Sequence, residues 1–150
     1  MSAPVIRKAA PSDLDDLLPL VAAYHAFEGV EATDTARREA VARLLADSAL
    51  GMIICADADS RLTGYLALCY GYSIEFGGQD AFVDEFFVVP DMRGHGLGEA
   101  LMARARTEAA TAGIVALHLE VDRENAGARR FYERRGFSAR DRFHLMSAKL

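Results

Sequence analysis

The residues best equipped for chemistry lie in one run, Arg93-Gly94-His95-Gly96-Leu97-Gly98-Glu99, where three glycines fall within five positions beside a guanidinium. Glycine lets a backbone turn its amides toward one point and lets a ligand approach them closely. The run follows Ala81 to Val89, rich in aromatic and β-branched residues, and Pro90 cannot donate to a ladder, so a strand should stop there. Beyond the glycines, Leu101, Met102, Ala105, Ala109 and Ala112 share one side of a helical wheel, with Glu99 and Arg106 on the other. A helix therefore begins inside the run. Amides unpaired at a helix start, together with the positive end of its dipole, favour an anion, and Arg93 adds a cation beside them.

Two familiar phosphate-binding patterns do not fit. A Gly-x-x-x-x-Gly-Lys-Ser/Thr loop needs lysine after its last glycine, where this chain has Glu99. A dinucleotide fingerprint, which would make the protein a nucleotide-dependent oxidoreductase, accepts Gly94, Gly96 and an acid at Glu120. It needs a third glycine where Glu99 stands. No pair among His25, His95, His118, His144, Cys55 and Cys69 has metal-ligand spacing, and no Gly-x-Ser-x-Gly elbow occurs, so neither a metal nor a serine nucleophile is expected.

The elements that must position the run read off in order. Val5 to Ala9 is a short strand. Ser12 can cap a helix with Leu14, Leu17, Leu18, Val21 and Tyr24 at helical spacing, kinked at Pro19. That helix breaks near Phe27-Glu28-Gly29, and a second, capped by Thr33 or Asp34, carries Val41, Leu44 and Leu45. Gly51 to Ala56 and Gly64 to Ile74 read as strands joined at Asp57 to Arg61, and Gly77 to Asp80 turns the chain into the strand before the glycines. After the long helix Gly113 is the stop, Ile114 to Val121 a strand, and Asn125 to Arg135 a helix ended by Gly136. Phe137 to Leu150 supplies one or two last strands. The strand–helix–strand crossover makes the central pair parallel in a mixed α/β (α+β) sheet.

With 150 residues, 51% of them hydrophobic, one well-buried domain is expected. A net charge of −5 argues against nucleic acid or an anionic membrane as partner and is compatible with a cationic one. Two cysteines in strand-like runs, with no secretory signal or spanning apolar segment, suit a reducing cytoplasm.

Arg93-x-x-Gly96-x-Gly98 after Val88-Val89-Pro90 resembles the acetyl-CoA signature of the GNAT (GCN5-related) N-acetyltransferases. A second segment of that family follows at Asn125 to Phe137, containing Arg129-Arg130-Phe131-Tyr132-Glu133. Phe82-Val83-Asp84-Glu85-Phe86-Phe87-Val88 is similar to the diamine and polyamine acetyltransferase branch, where an acidic pair precedes Phe-Phe-Val. The order of strand, two helices, three strands, helix, strand, helix and two strands is the topology of that family.

The resemblance implies an enzyme that moves an acetyl group from acetyl-CoA to a primary amine by direct attack, in a ternary complex. The backbone of Phe86, Phe87 and Val88 would bind the pantetheine arm. The amides of Gly94, His95, Gly96, Leu97, Gly98 and Glu99 would cradle the pyrophosphate, with the His95 side chain only exposed. Asn125 would start the last helix and, with Ala128, contact the coenzyme. Tyr132 would donate to the departing sulfur, and Phe131 would pack. Asp84 and Glu85, adjacent on a strand, should point to opposite faces, with Asp84 sharing the parity of Phe86 and Val88. The branch the chain resembles has an acid at the Asp84 position contacting the acceptor amine, which makes Asp84 the first choice as base or ammonium anchor and Glu85 the reserve. Phe27 and Glu28 would line the acceptor channel, while His25 reads as a surface imidazole. The acceptor would be a small-molecule amine, and the related branch implies a homodimer. A non-catalytic acyl-CoA-binding domain of the same fold is the alternative.

Overall fold

A computed structural model describes residues 3–150. The chain separates into two compact units, Met1–Leu119 and Glu120–Leu150. The first holds a mixed sheet in the order β1-β2-β3-β4-β5, formed by β1 (Val5–Lys8), β2 (Gly51–Ala58), β3 (Arg61–Ser73), β4 (Gly78–Val88) and β5 (Ala116–His118). The first four are antiparallel neighbours and β4 with β5 is parallel. A two-residue turn joins β2 to β3, with Asp59 at φ 52° and Ser60 at φ 65°, the left-handed pair that matches strand twist in a tight hairpin.

Period-2 alternation gives the sheet two apolar faces. Ile53, Cys55, Tyr65, Ala67 and Phe87 pack with Leu17, Leu20 and Val21 of α1 (Leu14–Glu28) and Val41 of α2 (Asp34–Ala46). On the other face lies α3 (Leu97–Thr111), which buries Leu97, Leu101, Met102, Ala105 and Ala109; Leu101 lies over Gly64, in the space a Cβ there would need. Each buried leucine contributes about 1.5–3 kcal/mol relative to exposure. The helical stripe stops one turn earlier than its periodicity suggests, for Ala112 is exposed at the end of α3. Thr33 caps α2 by accepting from Ala36 N–H at 3.1 Å. At the other helix a single 3₁₀ turn, Pro11–Asp13, precedes α1, and Asp13 occupies the cap position in place of Ser12. Asp13 instead ties Ala10 N–H and the Arg7 guanidinium together.

The second unit contains α4 (Ala126–Glu133), capped by Asn125, whose Oδ1 accepts from Ala128 N–H at 3.0 Å. The strands expected from Phe137 to Leu150 do not form among the described residues. Alternating apolar residues specify a strand only where a neighbour takes up its amides, and here Phe143 N–H turns back on Arg140. The strand expected at Ile114 to Val121 is likewise confined to three residues.

Candidate functional site

β4 carries the site because its pairing is incomplete on one side and irregular on the other. Its ladder with β5 spans Asp80 to Phe82 and ends at Phe82–His118, so Val83 to Val88 extend beyond it. Val89 N–H donates to Thr63 and the Phe87 carbonyl lies against Gly64, which puts the Phe87 backbone on the β3 side. By alternation the backbones of Phe86 and Val88 face the edge that β5 has left. Of the three residues the resemblance implied, two are presented there and Phe87 contributes its ring to the other face.

Against β3 the register slips. Ala67 pairs with Glu85 and Leu68 with Val83, leaving Asp84 as the extra residue of a bulge. This overturns the regular-strand expectation of opposite faces. Asp84 and Glu85 both act on Tyr65 and Cys69, and Asp84 also senses His25. Loss of solvent, then the charge of Glu85, raises the Asp84 carboxyl above the usual range, with His25 opposing, even though the residue as a whole remains exposed.

Glu85 is held more tightly. Its Oε2 meets His25 Nε2 at 2.5 Å and its Oε1 accepts from the Tyr65 hydroxyl at 2.7 Å. Burial and the neighbouring carboxylates push the Tyr65 phenol well above its ordinary value, which keeps it a donor. His25 is therefore not the surface imidazole expected: it is 9% exposed and faces the sheet. Its position was readable, since Leu14, Leu18, Val21 and His25 recur at i, i+4, i+7 and i+11 on the face α1 turns inward.

The glycine run has the anticipated form. Gly94 has φ 79° and Gly96 φ 81°, and a Cβ at either would meet nothing within 4 Å. Glycine is thus demanded by backbone conformation, with open space before it. The first helical bond of α3 runs from Ala100 N–H to the Gly96 carbonyl, so the amides of Leu97 and Gly98 belong to the unpaired first turn. Leu97 buries its side chain and His95 exposes its own, leaving the backbone as what both present. Arg93 donates from Nε to the Val88 carbonyl at 2.9 Å, and its guanidinium carbon lies 5.4 Å from the Phe87 ring centroid and 5.8 Å from that of Phe27. Phe27 is 71% exposed at the end of α1, beside exposed Glu28, and is not a core residue. Open space, left-handed glycines, a helix start and a nearby cation fit the diphosphate of coenzyme A.

In the second unit Tyr132 is half-buried between Phe131 and Phe137, with ring centroids at 5.4 and 5.8 Å. Arg135 stacks on Phe131 at 3.6 Å. Among the described residues no cluster of His, Cys, Asp and Glu is arranged to hold a metal ion, and no helix is long and apolar enough to cross a membrane.

A mixed sheet parted between its parallel strands, with a glycine-rich turn leading into a helix at the end of the parted strand, defines an acyltransferase-type α/β fold. The chain belongs to the acetyltransferase (GNAT) family, whose profile matches residues 16–137. Members of that family use acetyl-CoA. The chain is 28% identical over 132 residues, 88% of each protein, to YhfO of Bacillus subtilis, named an uncharacterized N-acetyltransferase. It is similar to an integron cassette protein, HFX_CASS3, from the Cole Harbour salt marsh metagenome: TM-score 0.84, 31% identity, covering 95% of this chain and 89% of that one. The fold is also that of the aminoglycoside N-acetyltransferase AAC(6')-Iy solved with CoA, at TM-score 0.84 and 18% identity, covering 100% and 97%.

Proposed function

We propose that the protein is an acetyl-CoA-dependent N-acetyltransferase that acetylates a small cationic primary amine of the diamine and polyamine class by direct attack. The observation that carries this reading is the bulge at Asp84 beside the parted β4 edge, one strand-end away from the glycine turn. A lysine-like ammonium has a pKa of ~10.4, so presenting it neutral at pH 7 costs roughly 4–5 kcal/mol unless a base takes the proton. Asp84 offers an exposed carboxylate whose raised pKa suits that task.

Bound acetyl-CoA would supply the acyl group as a thioester. The backbone of Phe86 and Val88 would orient the pantetheine arm, and the amides of Gly94 to Glu99, with Arg93 bracing the turn, would hold the diphosphate. Asn125 and Ala128 would meet the coenzyme from α4. Phe27 and Glu28 would bound the acceptor channel. Tyr132 would donate its hydroxyl proton to the leaving sulfur during bond breaking, because a phenol of pKa ~10 cannot protonate a thiolate of ~8.5 fully beforehand. The working form would be a cytoplasmic homodimer.

The test is coenzyme A release from acetyl-CoA across a panel of diamines, polyamines, amino acids and aminoglycosides. Turnover with the diamines, lost in Tyr132→Phe, supports the reading. A folded protein that binds acetyl-CoA and turns over none of them would be a binding domain.

A further inference from the structure

We propose that His25, braced by Arg37, is a positioning residue that together with Tyr65 clamps Glu85, so that Asp84 is the carboxylate of the pair left open to an incoming amine; this rests on the acetyltransferase reading above. The clamp is built from four elements. Arg37 on α2 donates from Nε to His25 Nδ1 at 3.3 Å, which requires Nδ1 to carry the lone pair and places the ring hydrogen on Nε2. Nε2 then donates to Glu85 Oε2 from α1, while Tyr65 donates to Oε1 from β3. Arg37 is itself fixed, through Nη1 to Asp34 at 2.7 Å and Nη2 to the Ala32 carbonyl at 3.2 Å, with its side chain 10% exposed.

Each Glu85 oxygen already accepts a bond, so turning that carboxyl toward a substrate would break one. Asp84 has no such constraint: it is the extra residue of the bulge, it is exposed, and among the described residues no group donates to it. The groups facing it are Glu85 on its own strand, His25 from α1, and Tyr65 and Cys69 from β3. A fixed negative charge on the adjacent residue makes Asp84 the better proton acceptor. The proton passes from the ammonium nitrogen to an Asp84 oxygen, leaving a neutral amine and a carboxylic acid, and nothing else is exchanged.

The experiment uses the full chain with ¹⁵N-labelled histidine and ¹³C-carboxyl-labelled aspartate and glutamate, with Asp84→Asn and Glu85→Gln assigning the two signals. Expected are an Nε2–H tautomer for His25, an Asp84 titration above the ordinary value of about 3.9, and its movement downward in Glu85→Gln. On adding butane-1,4-diamine the Asp84 signal shifts and that of Glu85 does not. His25→Gln, which keeps a donor, preserves this pattern; His25→Leu lets Glu85 respond as well. If His25→Leu does not fold, Arg37→Gln reports through loss of the tautomer preference. An Nδ1–H tautomer, or a diamine response at Glu85 in place of Asp84 or at neither, overturns the proposal. Calorimetry with coenzyme A on the same samples separates the two failures: a protein that binds coenzyme A with an inverted carboxylate response sinks only the clamp, and one that binds none sinks the acetyltransferase reading.

Discussion

Arg93 is bound to the strand it leaves: its Nε donates to the Val88 carbonyl at 2.9 Å, on the edge of β4 that β5 does not cover. A guanidinium anchored this way holds the glycine turn against the strand end and lies beside the Phe87 and Phe27 rings. Arg93→Met removes a hydrogen bond from a charged donor, worth about 1.5–3 kcal/mol. Coenzyme A affinity should fall roughly 10- to 100-fold by calorimetry, and the melting temperature should fall by roughly 3–12 °C.

Gly96→Ala tests the turn itself. At φ 81° the new Cβ meets open space, so the cost is conformational, about 1–2 kcal/mol. Relaxing that strain moves the first amides of α3. Denaturant titration should show the modest destabilisation, and coenzyme A binding should weaken by more than the stability change accounts for.

Asp84→Asn separates catalysis from stability. On its proposed role as general base, its removal should cost roughly 10²–10⁴ in rate. The folded-state pKa of Asp84 is raised, so its favourable contribution is present below the unfolded value of about 3.9 and is lost as pH rises through the folded value. The variant should melt higher than the parent at pH 7 to 8, and the two should converge near pH 3. A variant less stable at neutral pH would contradict this sign.

Asp13 titrates in the opposite sense. The Arg7 guanidinium, bonded to both its oxygens at 2.8 and 2.9 Å, holds its carboxyl below the usual range. Its stabilisation is present above the unfolded value of about 3.9 and disappears as pH falls through the folded one. Asp13→Asn should cost about 1–3 kcal/mol at pH 7 by urea unfolding, with the difference shrinking in acid.

Burial pushes both Cys55 and Cys69 up to about 11. At pH 8 only about one thiol in a thousand is then thiolate. An aromatic disulfide reagent should leave both untouched in the folded protein and modify both in urea, so coenzyme A release can be followed with that reagent.

The glycine turn and the helix caps at Thr33 and Asn125 were legible because local backbone demands fix them: left-handed φ, orphan amides and a short acceptor side chain. What lay beyond the sequence was set by partners. The bulge at Asp84 depends on how many residues β3 places opposite it, so the two acids came together where strand parity would have sent them apart. His25 lay on the core stripe of α1, but its role requires Glu85 sixty residues away. The strands expected from Phe137 to Leu150 require a neighbour to take up their amides, and the sequence of the segment alone does not say whether one does.

Isothermal calorimetry of the purified protein with coenzyme A bears most directly on the amide cradle between Arg93 and Glu99. One site per chain is predicted, weakened in Arg93→Met and Gly96→Ala and indifferent to NAD. A folded protein that takes up no heat with coenzyme A, or that binds NAD in its place, would contradict it.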